Sequence, residues 1–176
     1  VEMTDSGGGG ALPPLVLERA PTERADPARG AVTGCGDCGD MAVVAACASP
    51  GTFQAVVTVA ASINPRAGCR RLRIVAVHGD ADPVDPYRGG PDSRPGYLAT
   101  PAAAAAIARW AALDGCRTAV TTRVAPHVAV TTYPCGAQLV TINGGGHTWP
   151  GGAPVNPSPG VTTGAYDPKA TILARR

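Results

Sequence analysis

The chain has 176 residues, 44% of them hydrophobic and only 4% aromatic, enough for one domain whose core is built mostly from Ala, Val, Leu and Ile. A net charge of +2 gives no basic patch for nucleic acid, and no apolar run reaches the length of a membrane span, so a small or neutral substrate is favoured. The 23 glycines and 18 prolines approach a low-complexity composition, yet the apolar runs are periodic and predict an ordered domain with long loops.

In chain order, residues 1–25 read as a poorly defined, flexible N-terminal segment, with a linker-like run over Gly7 to Gly10 and a short helix over Pro13 to Ala20. Residues 26–176 read as the folded domain. Ala31 to Thr33 is a short strand, followed by a glycine turn and a helix over Asp40 to Ala48. Gln54 to Ala61 and Leu72 to His78 are nearly continuous apolar runs of strand length, the signature of parallel strands covered on both faces. Thr100 to Leu113 reads as a helix, with Thr100 as its N-cap and Pro101 at its first position. Val128 to Tyr133 and Gln138 to Asn143 are further strands, and Asp167 to Ala174 opens a last helix. Strands alternating with helices predict an α/β fold with a mostly parallel sheet.

Six cysteines in so short a chain point to an oxidising compartment. Cys116 ends a helical segment and Cys135 follows a strand, so a bridge between them would tie helix to sheet edge. Cys47 and Cys69 are candidates for a second bridge, with a small buried thiol as the alternative at Cys47. The chain begins with Val and shows no secretion signal, which suggests a processed N-terminus or a fragment.

Sites in open α/β sheets lie beyond the C-terminal ends of the strands, and three loops fall there. The first is Gly34-Cys35-Gly36-Asp37-Cys38-Gly39, a tight elbow from strand to helix. The second, His78-Gly79-Asp80-Ala81-Asp82-Pro83-Val84-Asp85, puts carboxylates just past a buried strand. The third, Gly144 to Gly152, carries His147 between three glycines and the rigid pair Trp149-Pro150. The order elbow, acid, histidine is that of a hydrolase triad, in which an acid orients a histidine that activates an elbow nucleophile. Asp80 and Asp85 read as solvated loop charges.

Four blocks carry a more specific likeness: Val32-Thr33-Gly34 with Met41-Ala42; His78-Gly79-x-Ala81-Asp82-Pro83-Val84-x-Pro86-Tyr87; Trp110-Ala111 with Gly115-Cys116; and Gly144 to Gly152. Together they resemble the polyhydroxybutyrate depolymerase and feruloyl esterase family of secreted serine esterases. The resemblance implies an α/β-hydrolase fold, an extracellular or cell-envelope location and hydrolysis of carboxylic esters, the substrate being a polyhydroxyalkanoate or an aromatic-acid ester. It calls for no cofactor and no metal. It further implies Asp82 as the triad acid, His147 as the triad base and Trp149 in the wall of the substrate cleft.

The chain departs from that pattern at the elbow. Where the family reads Gly-x-Ser-x-Gly, Gly36 occupies the position of the nucleophilic serine, and without oxygen or sulfur there no acyl-enzyme forms by that route. Cys35 and Cys38 sit one residue early and two residues late. The backbone amide of Asp37 is the expected oxyanion donor. Full family members have a longer stretch before the elbow, with the first strands and a second oxyanion amide, so an incomplete sheet with an exposed edge is expected.

Two other functions stay open. One is a non-catalytic remnant of the esterase family that binds an ester or aromatic acid without turnover. The other is a redox dithiol at Cys35 and Cys38, a Cys-x-x-Cys at a helix N-terminus, where thiol pKa values fall. A zinc site would need two more ligands, and no paired motif nearby supplies them.

Overall fold

The computed structural model describes residues 30–66, 68, 69, 71–92, 96 and 98–151. The segments expected over Gly7 to Gly10, Pro13 to Ala20 and Asp167 to Ala174 lie outside the described residues.

Six strands form one sheet: β1 (Ala31–Cys35), β2 (Ala55–Val59), β3 (Arg73–Gly79), β4 (Val120–Ala125), β5 (Val128–Thr132) and β6 (Gln138–Ile142). Their spatial order is β1-β2-β3-β6-β5-β4. The first four positions are parallel, with Val32 opposite Val56, Val56 opposite Ile74 and Val77 opposite Val140. The last two strands run antiparallel, because only short turns separate β4, β5 and β6, too short for a crossover. The α/β expectation holds, with this antiparallel edge added to the parallel sheet.

Along the parallel strands successive side chains alternate between two apolar clusters. Val32, Val56, Ile74 and Leu139 face one side, where both helices pack. Val57, Val75, Val77 and Val140 face the other, with Val128, Val130 and Ile142 from the later strands. Helix α1 (Asp37–Ala48) buries Gly39, Ala42, Val43, Ala46 and Cys47, and α2 (Ala103–Leu113) buries Ala103, Ala106, Ile107, Trp110 and Ala111. Both sets recur at three and four residues, which puts them on one face of a helix. Buried Trp110 donates its indole N–H to the carbonyl of Ile63, joining α2 to the segment after β2.

Three local expectations are corrected. Helix α1 begins at Asp37 rather than Asp40, so the elbow leads into it directly. Helix α2 begins at Ala103, capped by Ala102, and Thr100 is not its N-cap. Thr100 is held instead in a bridge with Gly90, the two residues exchanging backbone hydrogen bonds of 2.9 Å, while the Ala103 amide donates to the carbonyl of Tyr87. Strand β4 adds to the expected strands, and its residues are almost all exposed, with no one-sided apolar pattern to announce it in the sequence.

Cys47 bridges Cys69, and Cys116 bridges Cys135, with Cα separations of 4.2 and 6.2 Å. The first ties the end of α1 to the connection before β3. The second ties the residues after α2 to the β5–β6 turn, as its position suggested. Among the described residues, no helix is long and apolar enough to cross a membrane.

Candidate active site

The site forms at the C-terminal ends of β1, β3 and β6, with β2 between β1 and β3. At the end of β1, Gly36 turns the chain into α1 with φ 55° and ψ −130°, a conformation that strains any residue with a side chain. Its amide donates to the Val59 carbonyl at 2.9 Å, and its carbonyl accepts from Gly39 and Asp40, so the turn is held from both sides. Two other glycines make the turn sterically feasible. A Cβ on Gly34 would overlap the backbone of Cys38 and lie 2.6 Å from the Gly39 nitrogen, and one on Gly39 would meet the Ala61 Cβ at 2.5 Å.

The β3 and β6 loops are joined by hydrogen bonds. Asp80 N–H donates to Ile142 O at 3.0 Å, and Ala81 N–H donates to Gly145 O at 3.0 Å. The Asp80 carboxylate accepts the Gly144 amide at 2.6 Å. This joining sets Asp82 against His147. Nδ1 of His147 lies 2.9 Å from Oδ2 of Asp82 and 3.2 Å from Oδ1. With Nδ1–H donating to the carboxylate, the lone pair of Nε2 points away from Asp82. Gly36 lies close to this nitrogen: a Cβ built there would be 3.2 Å from Nε2.

The Asp82 side chain is fully buried, and four groups surround its carboxylate. Oδ1 accepts the amides of Val84 and Asp85 at 2.8 and 3.0 Å. Oδ2 is shared by His147 and by Nε2 of His78, at 3.3 Å. Burial alone would raise the pKa of Asp82. The hydrogen bonds from His147 and His78 outweigh it and hold the carboxyl well below the usual range.

His78 was missed as a site residue. Its Nε2–H donates to the Asp85 carbonyl at 2.9 Å, and its ring meets that of Tyr87 edge-on at 5.7 Å. Tyr87 in turn hydrogen-bonds Thr141 on β6 at 2.8 Å. Burial pulls the His78 pKa down, but the hydrogen bond to Asp82 and the charges of Asp85 and Asp82 leave it raised. The signal available in the sequence was a histidine closing an otherwise apolar strand, which marks a buried polar group in need of partners.

Asp85 is corrected as well: it is buried, not a solvated loop charge. Burial, with Asp82 and Asp92 nearby, pushes its pKa up against the opposing effect of His78. Asp80 is exposed, as expected, yet it holds Gly144.

Asp37 opens α1 next to Gly36, at the helix end where backbone amides point outward. Half-buried Trp149 packs with Cys35 against the apolar cluster of Val57, Val59 and Val77. A cavity of about 440 Å³ lies beside this centre, lined by Asp40, Ser62, Arg66, Asp85, Leu98 and Thr100 among others. It adjoins the centre through Asp40 and Asp85 and does not include Gly36 or His147.

The surroundings of Cys35 weigh against the dithiol reading. Cys35 lies on the strand side of the elbow, not on the helix, and both Cys35 and Cys38 are thiols rather than partners in a bridge. Burial, together with Asp82 and Cys38, pushes the Cys35 thiol up to about 11, the opposite of what a reactive dithiol needs. Among the described residues, no grouping of His, Cys, Asp and Glu is suited to hold a metal.

The fold is similar to that of an acetyl xylan esterase from Aspergillus awamori, with a TM-score of 0.55 and 17% identity. The match covers 76% of this chain and 60% of that enzyme, so the chain spans about three fifths of its length. At this identity the likeness is one of fold. No family model matches the chain, and no curated protein does.

Proposed function

We propose that this protein is a carboxylic ester hydrolase of the polyhydroxybutyrate depolymerase and feruloyl esterase type, in which Gly36 stands at the nucleophile position. The alignment of Asp82, His147 and Gly36 carries the reading. The acid holds one imidazole nitrogen, and the other faces the point where an elbow side chain would begin. In this reading Asp82 orients His147, the Asp37 amide faces the oxyanion, and Trp149 lines the cleft for the acyl or alcohol part. The esterase-like fold supports it, and the two disulfides suit an extracellular location.

Replacing Gly36 by Ser tests the reading. A hydroxyl on a carbon 3.2 Å from Nε2 comes within hydrogen-bond reach of the imidazole, completing nucleophile, base and acid. Gly36→Ser is expected to hydrolyse p-nitrophenyl acetate through an acetyl-enzyme at residue 36, with turnover abolished by adding His147→Ala. A folded Gly36→Ser protein with no turnover on acetyl, feruloyl or hydroxybutyryl esters would reject it.

The absence of a side-chain nucleophile at Gly36 favours one second reading, an esterase-family domain that binds ester or aromatic acid without turnover. Saturable binding of ferulic acid, with no hydrolysis by the wild-type chain, would favour it.

A further inference from the structure

The distance between Gly36 and His147 bears on how the wild-type chain would act. A carbon 3.2 Å from an imidazole nitrogen is tight, but an oxygen at that distance makes an ordinary O–H···N hydrogen bond. Among the described residues, and leaving aside the chain neighbours Cys35 and Asp37, Nε2 and Cε1 of His147 are the only atoms within 4 Å of that point. The point therefore accommodates an oxygen that hands its proton to Nε2. Glycine at residue 36 leaves that volume to solvent without altering the turn, since its φ of 55° suits glycine best.

We propose that the wild-type protein hydrolyses esters by direct attack of a water molecule at the Gly36 position, with His147 as general base and no acyl-enzyme. This rests on the ester-hydrolase reading above and deepens it. The water oxygen forms a bond to the ester carbonyl carbon while one of its protons passes to Nε2 of His147. The carbonyl oxygen takes the negative charge, next to the amide end of α1. Collapse of the tetrahedral adduct breaks the bond to the alcohol oxygen, which receives the proton back from Nε2. The products are the alcohol and the carboxylic acid, and His147 ends as it began. Asp82 keeps Nδ1–H as a donor throughout and supports the positive imidazolium of the intermediate. The glycine thus changes the route from covalent to general-base catalysis.

The experiment measures p-nitrophenyl acetate turnover and intact protein mass at steady state in the wild type, His147→Ala, Gly36→Ala and Gly36→Ser. The wild type is expected to turn over with no acetyl adduct on any side chain. His147→Ala should lower the rate by about a hundredfold or more, the usual contribution of a positioned base. Gly36→Ala should do the same, because its methyl fills the water's place without offering oxygen. Gly36→Ser carries the same backbone strain and reports whether a side chain at residue 36 is compatible with folding. An acetyl adduct on wild-type Cys35 or Cys38, or turnover unchanged in Gly36→Ala, overturns the water route. A silent wild type beside an active Gly36→Ser overturns it while leaving the ester-hydrolase reading standing. Silence in both removes the two together.

Discussion

The backbones of Gly79 and Gly145 pass so closely that a Cβ on Gly79 would overlap the Gly145 carbonyl group. That approach lets Ala81 bond Gly145, and it fixes the distance between the acid loop and the histidine loop. The glycines before His147 serve close packing at Gly145, where a Cβ would also crowd the Ile142 side chain at 2.9 Å, and a positive φ of 74° at Gly144. Gly79→Ala is expected to cost about 1–3 kcal/mol of stability by chemical denaturation, the usual range for forcing extra volume into a packed contact. It should also remove any activity that depends on His147.

Asp82 ties folding to acid. Its pKa is depressed in the folded protein, so its contribution is present above the unfolded carboxylate range near 3.9 and is lost as pH falls through the lower folded value. The urea midpoint of the wild type should therefore fall steeply below about pH 4. In Asp82→Asn that part of the acid dependence should disappear, and stability at pH 7 should drop by about 3 kcal/mol, as for removing one partner of a buried ion pair.

His78 acts in the opposite direction. Its folded pKa is raised, so its contribution is present below the unfolded value of about 6.5 and is lost as pH rises through the folded value. Urea midpoints should decline in the wild type as pH rises above about 6.5 and flatten in His78→Gln, which keeps a donor for the Asp85 carbonyl but does not titrate. His78→Ala should cost a further 1–3 kcal/mol or about that, since a buried carbonyl loses its donor.

Cys35 should resist alkylation at neutral pH. With its thiol pushed up to about 11, iodoacetamide labelling followed by mass spectrometry should rise only as pH approaches that value, if the fold persists. Folding favours the neutral thiol here, so stability should decline from about pH 9 upward as the unfolded chain ionises first. Rapid labelling of Cys35 at pH 7 would contradict this burial.

The Cys116–Cys135 bridge closes a 19-residue separation. A loop of that length restricts the unfolded chain by about 3 kcal/mol. Cys116→Ser together with Cys135→Ser should lose that much by denaturant titration, with the Cys47–Cys69 bridge intact in peptide mapping.

The sequence alone determined the strand-forming runs of β2, β3 and β6, the helical stripes of α1 and α2, and the residue types at Asp82 and His147. These are local properties: apolar runs, three-and-four spacing and turn residues act between near neighbours in the chain. It also pointed to Gly36, because a motif pattern names a position without needing its contacts. What the tertiary structure decided was everything that rests on distant segments meeting. His78 and Asp85 become parts of the site only because the loop after β3 folds over its own strand, giving one Asp82 oxygen to two histidines. Thr100 lost its cap role to Gly90, a partner ten residues away, and β4 formed on pairing with β5 rather than on any apolar pattern of its own. Above all, the facing of Gly36 and His147 depends on the register of β1 and β6 across two intervening strands, in which Cys35, Val59, Val77 and Val140 lie level and β6 runs on to Ile142, a register set by the packing of the whole parallel sheet.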